Sequence, residues 1–106
     1  MKRYEGRRSW RGVVITVDGC PLNLRLDLHN HSSEFEWGCS GSGSAQLALA
    51  ILADHIGDDE QAHIFHQRFK WSVIAELPRQ HWTLTSHEID QALQCIREWK
   101  AVGSAA

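Results

Sequence analysis

The sequence predicts an α+β fold, an N-terminal antiparallel sheet of about three to four strands packed on three C-terminal helices. Three observations predict it. Residues 3 to 37 carry β-branched runs and two-residue alternation. A Gly/Ser-rich turn follows and opens a helix that is apolar almost all round. Helical periodicities with capping signals then fill the remainder. Strands first and helices after is the order of a sheet covered on one face. The 106 residues are the size of one domain, expected to span 1–106 with 103–106 as a frayed tail.

The elements follow in order. Residues 3 to 8 alternate loosely and form a first strand, with Tyr4 as its inward anchor. Val13-Val14-Ile15-Thr16-Val17 is β-branched at every position, as a strand prefers. Asp18-Gly19 comes next, a dipeptide that tolerates the positive φ of tight hairpin turns. In the expected return strand Leu22, Leu24, Leu26 and Leu28 point one way, and Asn23, Arg25, Asp27 and His29 the other. Pro21 starts it, where a missing N–H matters least. Glu34-Phe35-Glu36-Trp37 alternates once more before the glycines.

The central helix is expected over about Ser44 to Ile56. From Ala45 to Ala53 only Gln46 interrupts its apolar surface, and a helix apolar on every side is a buried one. Ser40, Ser42 and Ser44 offer capping oxygens, and Gly57 suits the C-terminal end. Asp58 with Gln61 opens a second helix that runs to about Leu77 and stops at Pro78. Its stripe is Ala62, Phe65, Phe69, Val73 and Leu77. Thr85 with Glu88 forms a second capping box, opening a third helix to about Ala101 with Ile89, Leu93, Ile96 and Trp99 inward.

Composition narrows the function classes. No run is long enough to span a bilayer and no signal segment opens the chain, so no membrane partner and a cytoplasmic location are expected. Cys20, Cys39 and Cys95 are odd in number and lack CxxC pairing, which fits reduced thiols. Charge is uneven. Lys2, Arg3, Arg7, Arg8 and Arg11 against Glu5 leave the first 12 residues at +4 and the other 94 at −6. A basic arm suits phosphates or an acidic partner, whereas an edge strand kept soluble by charge is the plainer and favoured reading.

Several residues invite chemistry. The turn Gly38, Ser40, Gly41, Ser42, Gly43, Ser44 stands at a helix N-terminus, where N–H groups attract anions. It lacks the GK[ST] of a phosphate loop and the βαβ setting of a dinucleotide site, so a structural turn is favoured. Seven histidines include the pairs His29/His31 and His63/His66. Zinc needs three or four convergent ligands, and with His29 facing outward from a strand the favoured reading is solvated surface histidines and no metal. Cys39 would need a base such as His31, and a small buried filler is the commoner role for a lone cysteine. Glu34 and Glu36 would serve as an acid–base pair or simply as a wet sheet face. No catalytic residue and no cofactor is expected. Of five tryptophans, Trp37, Trp82 and Trp99 suit the core. Trp10, between Arg8 and Arg11, and Trp71, beside Lys70, suit a contact surface.

The run Phe35, Trp37, Gly38, Gly41, Ser42, Gly43, Ala45, Gln46, Leu47, Ala48, Leu49, Ala50, followed by Asp58, Asp59, Ala62, Phe69 and Lys70, resembles a known pattern. It is similar to an uncharacterised family, a domain of unknown function, of small bacterial, plasmid- and phage-borne proteins. That family's motif reads F-x-W-G-x-x-G-S-G-x-A-Q-L-A-L-A. Tyr4 to Arg7 and Leu22 to Leu26 also look similar, so the likeness covers most of the chain. Cys39 stands where the family shows an aromatic, and Ser44 where it shows Pro. The resemblance implies a mobile-element setting and no particular reaction. The expected function is therefore a small non-enzymatic binding protein that docks on a macromolecular partner, a protein above all, through Tyr4, Arg7, Arg8, Trp10, Arg11 and Arg25. Small-anion or nucleotide binding at the Gly/Ser turn is one alternative, and nucleic-acid binding through the basic arm a second.

Overall fold

A computed structural model describes residues 2–105, with side chains as far as residue 98. The expectation of an inward Trp99 lies outside the described side chains. The elements are β1 (Arg3–Ser9), β2 (Gly12–Val17), β3 (Cys20–Pro21), α1 (Ser42–Ile56), α2 (Asp59–Ser72), a 3₁₀ turn (Ile74–Glu76), β4 (His81–Thr85) and α3 (Ser86–Ala105). The fold is α+β, a four-stranded antiparallel sheet in the order β3-β2-β1-β4 with three helices.

The sheet's two faces follow from period-two alternation. Tyr4, Gly6, Ile15, Trp82 and Leu84 are buried on the inner face, and Gly6 stands directly between Ile15 and Trp82 in register. The outer face carries Arg3, Glu5, Arg7, Val14, Thr16, His81 and Thr83. β1 is an interior strand, which corrects the expectation of a charged edge strand or free basic arm. The sheet's fourth strand comes from an unforeseen place. His81–Thr85 returns after α2 to pair with β1, tying the C-terminal half to the first strand.

α1 is central, as its composition predicts. Every residue from Ser44 to Ala53 is buried, and Leu47, Leu49, Ile51 and Leu52 are fully so. Burying each such side chain stabilises by about 1.5–3 kcal/mol. α1 packs along α2, and α2 against α3 and the 3₁₀ turn. Gly57 closes α1 in the left-handed conformation at φ 72°. Asp58 caps α2 by accepting from the Gln61 N–H at 3.1 Å. The Thr85/Glu88 box forms reciprocally at the start of α3: the Thr85 N–H donates to the Glu88 carboxylate at 3.0 Å, and the Glu88 N–H to the Thr85 hydroxyl at 3.3 Å. No serine caps α1, however. Gly41 is its N-cap, with no side-chain bond.

Two expected strands are absent. The chain after Pro21 leaves the sheet instead of alternating to Leu28. The Asn23 side chain accepts from the Arg25 N–H at 2.7 Å, and Arg25 adopts φ 56°. Such local side-chain bonds compete with a strand ladder. Leu22 stays buried, Leu24 and Leu28 are half-buried, and Leu26 is exposed. Residues 34–37 form no strand. α2 also ends before Leu77: Val73 and Leu77 pack on the core from beyond the helix.

Candidate functional site

The sequence-predicted contact residues separate into four places. Tyr4 is fully buried and its hydroxyl donates to Asp54 at 2.5 Å, so it is a core anchor and not a contact residue. Burial first, then the Asp54 carboxylate, push its phenol well above the ordinary tyrosine range. Arg8 lies on the inner side of β1. Its guanidinium grips the Glu36 carboxylate through two nitrogens, donates to the Arg79 carbonyl at 3.0 Å and stacks 4.5 Å over the Trp37 ring. The same pairing holds the Glu36 carboxyl below the ordinary glutamate range. Glu36 is thus an ion-pair partner for Arg8, and it accepts from the Trp37 N–H at 2.9 Å. Arg25 sits in the loop after β3, bound to Asp27 and Asp59 at 3.1 and 3.0 Å.

Arg7, Trp10 and Arg11 remain together. β1 and β2 are joined by a two-residue loop, Trp10-Arg11, across the Ser9/Gly12 pair. Trp10 is 88% exposed there, and the Arg11 guanidinium covers its ring at 4.9 Å. Arg7 lies opposite Val14 and His81 on the outer sheet face, and Val14 is 59% exposed. Glu5, Arg7, Val14 and Thr16 line a shallow depression on that face. The helices pack on the other side, which leaves this apolar and basic surface open. Trp71, on α2, is also exposed, with the Lys70 ammonium 4.8 Å from its ring.

The Gly/Ser turn is a packed joint. A Cβ on Gly43 would meet the Glu36 Cβ at 2.7 Å, and the Gly43 carbonyl accepts from the Glu36 N–H at 3.2 Å. Ser44 is buried and touches the Cys39 thiol at 3.5 Å. Trp37 is fully buried, its indole N–H reaching the Pro78 and Arg79 carbonyls at 2.8 and 3.0 Å. Gly38, Ser40, Gly41 and Ser42 lie at the surface end of the joint. Cys39 is exposed, not a buried filler, as are Cys20 and Cys95, all three free.

Four histidines converge, which reading His29 on a strand concealed. The rings of His29 and His31 are 4.2 Å apart, those of His31 and His66 5.1 Å, those of His63 and His66 5.3 Å, and those of His29 and His63 6.1 Å. His66 is buried, not solvated, and its Nε2 lies 2.9 Å from His31 Nε2. Its Nδ1 lies 2.6 Å from the His63 carbonyl, so Nδ1 carries the proton and Nε2 the lone pair. Burial first, then the neighbouring histidines, keep His31 and His66 below the ordinary histidine range; Lys70 adds to this at His31. The i, i+3 spacing of His63 and His66 on one helix was the available signal. What it lacked was the loop that brings His29 and His31 across.

No helix among the described residues is long and apolar enough to cross a membrane. No curated protein and no solved structure matches the chain. Residues 4–95, from the inward tyrosine of β1 to the middle of α3, match the model of one family, and the chain belongs to that family of unknown function, DUF6166.

Proposed function

We propose that this chain is a small binding protein, not an enzyme, that docks on a protein partner through the open face of its sheet and the β1–β2 hairpin tip. One observation carries the reading: an almost fully exposed tryptophan under an arginine, continuous with an uncovered sheet face bearing Arg7 and Val14. Tryptophan and arginine are the residue types that concentrate binding energy at interfaces. A partner that fits presents an apolar pocket for Trp10 and carboxylates for Arg7 and Arg11. The motif resemblance would make the chain an accessory protein of a plasmid or phage, acting in the cytoplasm, where its free thiols stay reduced.

Site-specific photo-crosslinking in the native host tests this. A crosslinker at Val14 should capture one discrete protein, whereas one at Glu60 on α2 should not. Trp10→Ala with Arg7→Glu should abolish the capture, since losing a hot-spot residue costs about 2 kcal/mol or more, at least thirtyfold or so in affinity. Arg8 is unsuited to the test, because its reversal breaks the Glu36 pair inside the fold. Equal capture from both positions, or capture that survives the double change, overturns the reading.

A further inference from the structure

We propose that His29, His31, His63 and His66 bind one divalent transition-metal ion of the zinc type. The site lies where the loop after β3 crosses α2, away from the open sheet face. Three observations lead there.

The first is the arrangement of the four rings. Going round His29, His31, His66 and His63, neighbouring centroids are 4.2, 5.1, 5.3 and 6.1 Å apart. Imidazoles holding one tetrahedral ion at about 2.0–2.1 Å have ring centroids roughly 5 Å from one another. The four neighbouring separations bracket that spacing.

The second is the pair at its centre. His31 Nε2 and His66 Nε2 face each other at 2.9 Å, and His66 Nδ1 donates to the His63 carbonyl. A ligating histidine characteristically gives its other ring N–H to a carbonyl or carboxylate, which fixes the tautomer and aims the lone pair. His66 already has that second bond and that aim. Without a metal the two nitrogens share one proton in a neutral hydrogen bond. With one, the His31 proton moves by way of solvent from Nε2 to Nδ1, and both Nε2 lone pairs turn to the ion.

The third is the anchoring of the loop. The buried Gln46 carboxamide accepts from the His31 N–H at 2.8 Å, so the backbone beside the ligand is held by α1. His29 and His63 are exposed and unhindered by burial. Among the described residues no three donors already stand as a metal-holding group. The central pair is preset, and the two outer rings complete the shell by turning about their side-chain bonds.

Cobalt titration of the chelator-treated full chain provides the test. One saturable equivalent should appear, with the intense visible d–d absorption of a four-coordinate ion, and zinc should displace it. His31→Ala should weaken binding at least tenfold. His29→Ala and His63→Ala should each weaken it and change the spectrum, while His87→Ala, on α3, leaves both unchanged. His66→Gln is checked by circular dichroism, and the exposed-ring variants keep the test valid if it fails to fold. Absence of saturable binding, a weak six-coordinate spectrum, or affinity unaltered by His31→Ala overturns the proposal.

Discussion

Gly6→Ala is the sharpest probe of how sheet and helices join. Gly6 faces inward on the central strand, level with Trp82 on β4. A Cβ there would lie 2.2 Å from Trp82 Nε1, 2.3 Å from Cε2 and 2.6 Å from Cζ2. The ring must move by more than an ångström to restore van der Waals contact, and its surroundings resist. Trp82 is buried and meets Trp37 edge-on, centroids 5.8 Å apart at 81°. Trp37 in turn is held by two carbonyls and by Arg8. Overpacking of this kind costs about 1–3 kcal/mol. At about 4–8 °C per kcal/mol for a domain near this size, the midpoint should fall by roughly 5–20 °C. Thermal unfolding followed by near-ultraviolet circular dichroism measures both the shift and the changed signal of the tryptophan pair. A Gly6→Ala protein that melts within 2 °C or so of the parent would refute the close approach, since no cost on this scale would then exist.

Other outcomes follow from the same contacts. The single tyrosine makes a clean spectroscopic probe: Tyr4 should show no phenolate absorbance in the native chain as pH rises past 10, appearing only with alkaline unfolding. Its folded value is raised, so its contribution is complete below the free tyrosine value and is lost above it; phenolate appearing in the folded chain near pH 10 would contradict its burial. Glu36, depressed by Arg8, contributes stability above the free glutamate value of about 4.5 that disappears as pH falls through its lower folded value. With 38% of the Glu36 side chain exposed, solvent screening limits this to below about 1 kcal/mol; urea midpoints at pH 7 and 3 should differ less in Glu36→Gln than in the parent, and an equal difference would count against the pair. Gln46→Leu should free the loop from α1, because three backbone groups lose their partner and each costs about 1–3 kcal/mol if left buried. Faster tryptic cleavage at Arg25 and quicker amide exchange at His31 would show it; unchanged protection at both would not fit.

Much of the architecture was legible because its signals are local. The β-branched run of β2, the Asp18-Gly19 turn with both residues at positive φ, the Asp58 cap and the Thr85/Glu88 capping box each require only a few neighbouring residues. The apolar run of α1 announces its own burial. What escaped depended on distant partners. The sequence His81-Trp82-Thr83-Leu84-Thr85 alternates and is rich in strand formers, but five residues between two helices gain strand status only from β1, some 76 positions earlier at the Glu5/His81 contact. Leu22 to Leu28 alternates convincingly and is not a strand, because Asn23 and Gln46 take the backbone groups that a ladder would use. The candidate surface was half legible. Trp10 and Arg7 are exposed as expected, while the even-numbered Tyr4 and Arg8 turn inward by the same alternation that exposes Arg7.

The buried polar residues explain how the unladdered loop is held. Ser44, Gln46, His66 and Lys70 lie on the two helices that meet the segment from Leu22 to Trp37. A segment outside the sheet must satisfy its N–H and C=O groups by other means if it is to lie against a core. Gln46 does so for three of them: it donates to the Leu24 carbonyl at 2.6 Å and accepts from His31 and Ser32 at 2.8 and 3.3 Å. His66 takes the next position, against the His31 ring. The one polar residue in an otherwise apolar stretch is therefore the organising contact of α1, and not a flaw in its pattern. It determines that the leucine-rich segment wraps the helix and does not extend the sheet. That choice leaves β2 with only a two-residue neighbour and carries His29 and His31 across to α2. The proposed histidine site is a consequence of one buried glutamine.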